Sequence, residues 1–194
     1  GEKMVDYNSD EERFTAIVDF FKRNQKSILL TFSAVLFVGI SSISISAYQD
    51  TKNAKAAALY DVWFSGNAAD TPELIKTENA YTSLQENFPK TGYAGLARVI
   101  KGSQFAQDGD LKLSLQEFSK LLDSTSGLMG NHVLNSIARI NIARIELANK
   151  NYSNVLEALE PLNSNSEHSM VYEVKGDALV GLNKKELALA QYNL

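Results

Sequence analysis

Few residues in this chain of 194 have the types and spacing that enzymatic chemistry requires. Cysteine is absent, which excludes disulfides, thiol catalysis and cysteine-ligated zinc. The two histidines, His132 and His168, have neither a second histidine nor a carboxylate at ligand spacing. No nucleophile elbow and no glycine-rich phosphate loop accompanies them. We therefore expect a protein that is not an enzyme and that binds neither a metal nor a cofactor.

An acidic turn, Asp108-Gly109-Asp110, resembles the start of a calcium-binding loop. The later Asp/Asn and Glu ligands of such a loop are missing, so we interpret the segment as a turn between two paired helices. The formal net charge is −4, and no basic patch is present that could neutralise phosphates. We therefore expect no nucleic acid among the partners of this protein.

An uncharged stretch of 21 residues, Ser27 to Ala47, precedes the larger part of the chain. As a helix it would reach about 30 Å, the hydrocarbon thickness of a bilayer. A cleaved signal peptide is one alternative, although its apolar core is usually shorter and begins earlier. A buried helix is another alternative, although such a helix usually carries a polar stripe. We predict a single transmembrane anchor that contacts membrane lipid.

Basic residues flank this stretch unequally. Before it stand Arg13, Lys22, Arg23 and Lys26, and after it stand only Lys52 and Lys55. Because Lys and Arg in short flanks favour the cytoplasmic side, the pattern predicts a cytoplasmic segment at 1–26, an anchor at 27–47 and a domain at 48–194 outside. If the host is a Gram-negative bacterium, the outside compartment is the periplasm.

The cytoplasmic segment is predicted to contain an amphipathic helix. Ser9 and Glu12 have capping-box spacing, and apolar residues recur at positions 14, 17, 18 and 21. The apolar face would lie on the lipid interface or on a partner, and residues 1–8 are expected to be disordered.

One face of the predicted anchor carries the small residues Gly39, Ser42 and Ser46 at i, i+3 and i+7. Small residues let membrane helices approach closely, so these three are candidates for contact with a partner's membrane helix. Since small residues are common in membrane helices, the alternative is that this face has no special role.

The domain at 48–194 is predicted to be all-α and repetitive. Strand signals are scarce, and turn signals separate helical patches. The patches lie at about 52–65, 73–87, 93–107, 111–122, 131–149, 152–160, 167–181 and 185–194. The fold class is therefore a single transmembrane helix followed by an α-solenoid of degenerate tetratricopeptide repeats.

The repeat period supports this prediction. Val155 and Ala188 are 33 residues apart, close to the tetratricopeptide period of about 34. Ser114 and Val155 are 41 residues apart, which indicates an insertion, most simply in the loop 124–131. Gly102 and Gly176 fit the small position where the two helices of a repeat meet. The Trp and the terminal Pro of the full motif are absent.

Arg144 is a candidate for partner contact because first helices of repeat pairs line the binding groove. The alternative is that Arg144 is an ordinary residue on the polar face of its helix.

Several short motifs, in this order and spacing, resemble the bacterial ancillary subunits of the SecYEG translocon. They are Phe20-Phe21, Tyr93-Ala94-Gly95-Leu96-Ala97 with Gln104-Phe105, Ala143-Arg144-Ile145, and Lys175-Gly176-Asp177-Ala178-Leu179. The resemblance implies a single-pass inner-membrane protein with periplasmic repeats. It also implies two partners, the SecYEG channel and a membrane-anchored periplasmic prolyl isomerase-like chaperone, and no catalytic residue.

We therefore expect a membrane-tethered protein-interaction module that assists chaperone action on proteins leaving the channel. The alternative is a membrane-anchored regulatory adaptor that sequesters a signalling protein through its cytoplasmic helix.

Overall fold

The computed structural model describes residues 10–70, 73–162 and 169–194, except for the side chains of residues 10–14, 20–21, 27–32 and 34–35. These residues form helices and no strand, so the all-α prediction is confirmed. The helices are α1 (Asp10–Arg23), α2 (Gln25–Asn67), α3 (Leu74–Asn87), α4 (Gly92–Gln107), α5 (Leu111–Thr125), α6 (His132–Ala148), α7 (Tyr152–Leu159), α8 (Ser169–Gly181) and α9 (Lys185–Tyr192). A 3₁₀ turn, Glu160–Leu162, follows α7.

The chain divides into two compact units, Gly1–Thr51 and Lys52–Leu194. The first unit contains α1 and the beginning of α2. A helix does occupy the predicted amphipathic segment, whereas Ser9 and the segment 1–8 lie outside the described residues.

The predicted anchor falls within α2. Among the helices as far as the structure describes them, none carries a stretch long and apolar enough to cross a membrane. The side chains of residues 27–32, 34 and 35, which belong to the predicted anchor, lie outside the described set. The anchor therefore stays a prediction.

The second unit is built from helix pairs that stack in chain order. Helices α4 and α5, α6 and α7, and α8 and α9 pack as pairs, and the first helices α4, α6 and α8 also contact one another in sequence. The final turns of α2 pack with α3 ahead of these pairs, where Trp63 is buried against Tyr81 with ring centroids 5.5 Å apart. This is the arrangement of a solenoid, in which each pair covers the apolar face of its neighbour.

The predicted repeat is present at the level of single positions. The exposed fraction is at most 1% for Ser114, Val155 and Ala188. Each is the fourth residue of the second helix of its pair.

The predicted insertion in the loop 124–131 was wrong, because the link between Thr125 and His132 has six residues, as many as the link between Leu162 and Ser169. The longer interval comes from longer helices: α5 and α6 have 15 and 17 residues, whereas α7 has 8 with 3 more in its 3₁₀ turn, and α8 has 13. The Asn131 side chain then accepts the backbone N–H of Leu134 and caps α6.

The turn inside each pair has the same backbone in all three repeats. Its central residue has a positive φ of 60–82°, and the following residue donates its N–H to a carbonyl five residues back at 2.8 Å. The central residues are Gly109, Lys150 and Asn183. This bond pattern ends a helix by satisfying a free carbonyl. The interpretation of Asp108-Gly109-Asp110 as a turn between paired helices is therefore confirmed.

The two helices of a pair approach closely at the predicted small position. A Cβ atom added to Gly102 would lie 2.9 Å from the ring of Phe118, which is itself 1% exposed. A Cβ atom added to Gly176 would overlap the ring of Tyr192. Glycine at these positions therefore sets the distance between the helices of a pair.

We expect Gly102→Ala to lower the free energy of unfolding by about 1–3 kcal/mol, because the methyl group would overfill the contact with Phe118. The matched control is Gly92→Ala, since a Cβ atom there meets no atom within 4 Å. The control should be neutral or more stable by roughly 0.5–1 kcal/mol, because alanine favours the helix. Urea unfolding followed by circular dichroism measures both variants, and equal effects would contradict the close-approach explanation.

Candidate protein-interaction surface

A buried polar network joins three helices near the start of the solenoid. The Tyr81 hydroxyl of α3 donates a hydrogen bond of 2.5 Å to Glu117 Oε2 of α5. The same oxygen accepts a hydrogen bond of 2.7 Å from Arg98 Nη1 of α4, and both side chains of this ion pair are only about 11–12% exposed. One carboxylate therefore holds groups from two neighbouring helices.

A second ion pair lies beside this network. Lys101 Nζ of α4 contacts Glu78 Oε2 of α3 at 2.8 Å and lies 4.0 Å from the centre of the Tyr81 ring. An ammonium group over an aromatic face is attracted by the ring quadrupole. Lys101 therefore adds a second attachment between α3 and α4.

The network does not provide a reactive phenol. Burial, followed by the hydrogen bond to Glu117, raises the pKa of Tyr81 far above its ordinary value of 10.0. The hydroxyl stays protonated and serves as a hydrogen-bond donor. We conclude that these groups attach α3 to the pair α4–α5.

In two of the three repeats, arginine stands where the tetratricopeptide pattern has its tryptophan, four residues before the small position. Arg98 and Arg139 occupy the same repeat position, and each reaches the second helix of its own pair. Arg139 Nη1 donates to the carbonyl oxygen of Ala158 at 3.3 Å, whereas Arg98 donates to Glu117. A polar contact thus connects the two helices where a ring would otherwise pack.

The exposed side of the first helices carries an apolar row, which we call the first-helix face. Leu96 and Met170 are 45% and 46% exposed, and Ile137 at the equivalent place on α6 is half-buried. One turn further along, α4 and α6 add the half-buried Val99 and Ile140. Because α4, α6 and α8 lie side by side, these residues form a shared surface on which a polypeptide can pack.

Arg144 lies on α6 at helical spacing from Ile137 and Ile140, so it belongs to the first-helix face. Its side chain is exposed, and within the described part of the chain it makes no hydrogen bond or ion pair. Arg144 therefore stays a candidate for partner contact.

On α8, Asp177 accepts a hydrogen bond of 2.6 Å from the Tyr192 hydroxyl, and this bond is the main reason that the pKa of Tyr192 rises to about 12.

The other predicted contact residues belong to the first unit. Gly39, Ser42 and Ser46 are exposed on α2, and a Cβ atom added to Gly39 meets no atom within 4 Å. The Ser42 hydroxyl donates to the Val38 carbonyl at 2.8 Å, which satisfies it within its own helix. A partner could therefore approach this face without leaving the Ser42 hydroxyl unsatisfied, and the contact stays a prediction.

The residues singled out for chemistry do not form a site in the described ranges. His132 is exposed at the start of α6, and His168 lies outside the described residues. Within these ranges no group of three or more His, Asp or Glu could hold a metal ion.

The chain matches the family described as the tetratricopeptide repeat-like domain over residues 19–194. None of the curated proteins and none of the solved structures matches it. Because the family match covers most of the chain, this protein belongs to the tetratricopeptide repeat-like family, whose members are protein-interaction modules.

We expect Tyr81→Phe to lower the free energy of unfolding by about 1–2 kcal/mol near neutral pH, because it removes a hydrogen bond to a carboxylate. The folded-state pKa of Tyr81 lies above its unfolded value, so its contribution is present below pH 10.0 and is lost as the pH rises past 10.0. Tyr81→Phe should therefore show a smaller alkaline loss of stability than the wild type.

The control is Tyr93→Phe, because the Tyr93 hydroxyl has no hydrogen-bond partner among the described residues. Urea unfolding at neutral pH and at about pH 11 measures all three proteins. Identical pH profiles for the wild type and Tyr81→Phe would contradict the assignment.

Proposed function

We propose that this member of the tetratricopeptide repeat-like family is a membrane-tethered, non-enzymatic module that binds other proteins. The observation that carries the proposal is the apolar first-helix face, which the stacked pairs leave partly uncovered. In repeat proteins such a face binds polypeptides, because an extended row of pockets can contact many side chains at once.

The membrane tether is supported by the exposed apolar surface of α2. Leu36, Phe37 and Val38 follow one another and are 51%, 73% and 63% exposed. Consecutive residues of a helix point about 100° apart, so apolar surface extends around the helix and not along one stripe. A single packed partner would cover only one stripe, whereas lipid surrounds a helix completely.

The proposed orientation is supported by the unequal basic flanks of residues 27–47, and the proposed compartments by the resemblance to ancillary translocon subunits. The N-terminal segment would be cytoplasmic, the anchor would span the bacterial inner membrane once, and the repeats would face the periplasm. The repeat domain would then meet proteins as they leave the membrane.

The proposed partners are the SecYEG channel and a membrane-anchored periplasmic prolyl isomerase-like chaperone. They are suggested by the resemblance of four short motifs to ancillary translocon subunits. Confinement to one membrane raises the effective concentration of the partners, so weak contacts through the first-helix face would suffice. In this role the module would hold the chaperone or its client beside the channel.

Purification of the full-length protein in mild detergent, with mass spectrometry of the proteins recovered, tests this function. We expect channel subunits together with a periplasmic chaperone. Recovery of cytoplasmic regulators alone would contradict the proposal and favour the regulatory adaptor. A variant that lacks residues 1–22 separates the two functions, because only the adaptor should lose its partner.

We expect Gly39→Leu combined with Ser42→Leu to reduce recovery of a membrane partner without loss of membrane insertion, because larger side chains block a close helix–helix approach. The matched control is Ile43→Leu combined with Ile45→Leu, which keeps the size and apolarity of two exposed residues on the same helix. Alkaline extraction of membranes checks insertion, and quantitative mass spectrometry measures recovery. Equal recovery from both double variants would contradict the hypothesis that Gly39 and Ser42 contact a partner's membrane helix.

A further inference from the structure

The link between α5 and α6 carries two large apolar side chains at its tip. Leu128 and Met129 have exposed fractions of 102% and 99%, higher than those of the other large apolar residues in the described ranges. The N–H of Gly130 donates to the carbonyl of Gly127 at 3.0 Å, so Leu128 and Met129 occupy the two central positions of a tight turn. Such positions usually hold polar residues, proline or glycine, so an apolar pair here points to a contact outside the chain.

The backbone on both sides of this turn is held in place. Gly127 has a positive φ of 96°, and a Cβ atom added to Gly130 would overlap the backbone oxygen of Thr125, so both flanking positions require glycine. From α6, the side-chain amide of Asn135 donates to Thr125 Oγ1 at 3.2 Å. The turn therefore presents its two apolar side chains to solvent from a fixed backbone.

The turn lies at one end of the repeat domain, which we call the link end. It is defined by the links 88–91 and 126–131, which border one cavity of about 290 Å³. A Cβ atom added to Gly95, near the start of α4, would overlap Leu134 near the start of α6 and would touch Leu121 toward the end of α5. The links and the helix ends that they join are therefore neighbours.

The chain enters the second unit at this same end. Gly66 of α2 directly contacts Thr77 near the start of α3, at the far end from the links. Six residues earlier on α2, the Tyr60 ring lies 5.7 Å from the ring of Tyr93, just after the link 88–91. Moving back along α2 therefore approaches the link end, and Lys52, the first residue of the unit, lies beyond Tyr60 in that direction.

A short stretch of chain connects this end to the predicted anchor. Only the residues 48–51 separate Ala47, the last residue of the anchor, from Lys52. Even a fully extended chain would keep Lys52 within about 18 Å of Ala47. This limit is covalent and holds for every arrangement of the two units. A membrane tether would therefore hold the link end, and not the opposite end, beside the bilayer.

We propose that the Leu128–Met129 tip inserts into the interfacial layer of the membrane that holds the anchor. Lipid is favoured over a protein groove because the tip is fully exposed and lies at the end that a tether would hold beside the bilayer. Lys90, an exposed residue at the same cavity, would pair with a lipid phosphate group. The inference rests on the proposed function, and it adds a second membrane contact that would orient the repeats toward their partners.

Fluorescence from single labelled cysteines tests this contact in the full-length protein, which has no cysteine of its own. Met129→Cys carries an environment-sensitive dye, and the protein is reconstituted into vesicles of phosphatidylethanolamine and phosphatidylglycerol. We expect emission at shorter wavelength than from Lys112→Cys, an exposed position at the start of α5 and thus at the opposite end. Lipids with a spin label near the headgroup should quench the dye at Met129 and not the dye at Lys112.

A second substitution tests the apolar chemistry of the tip. Leu128→Ser, combined with the label at Met129, should reduce the quenching by spin-labelled lipid, because half of the apolar surface of the tip is lost. The matched control is Leu187→Ser on α9, which removes an equally large side chain that is 55% exposed. The control should leave the quenching unchanged. Equal quenching in both variants would contradict insertion of the tip.

A third label, Phe37→Cys in the predicted anchor, separates this inference from the proposed tether. Strong quenching at Phe37 with equal, weak quenching at Met129 and Lys112 would overturn the tip contact and leave the tether intact. Absence of quenching at all three positions would overturn both. A shift to shorter wavelength at Met129 that spin-labelled lipid does not quench would indicate contact with protein, such as a second copy, and would also overturn the inference.

Discussion

The close approach of the two helices in each pair is the constraint on which the solenoid depends. In the first full repeat the buried Ser114 hydroxyl donates to the carbonyl of Gly102 at 2.7 Å, and the Phe118 ring packs over the same glycine. Ala143 and Gly176 keep the Gly102 position small in the following repeats, and the buried Val155 and Ala188 occupy the Ser114 position. Because one side of each first helix is used in this contact, its other side is left to form the first-helix face.

The repeat architecture could be predicted from the sequence because it is recorded in local patterns. The intervals of 33 and 41 residues join the second helices of adjacent pairs, and the small positions Gly102 and Gly176 each lie within one pair. The left-handed backbone of the turn at Lys150 could not be predicted from the sequence, because a positive φ is expected at glycine or asparagine and not at lysine. Two flanking hydrogen bonds hold this backbone, so the geometry of the pair overrides the preference of the residue.

The polar contacts could not be predicted, because they join helices that are far apart in the sequence. Tyr81 and Glu117 are separated by 36 residues, and Arg98 reaches the same carboxylate from a third helix. Arg144 is an exposed residue of a first helix, and its predicted contact with a partner stays a prediction because it depends on a second protein.

The measurement that tests the interaction module most directly is site-specific photocrosslinking in living cells. A photoreactive residue would replace Ile137 or Ile140 on the first-helix face, and Lys112 or Lys120 on the exposed side of α5 would serve as controls. The account predicts protein adducts from the first-helix positions and none from the α5 positions. Adducts of equal yield from both helices, or from α5 alone, would contradict it.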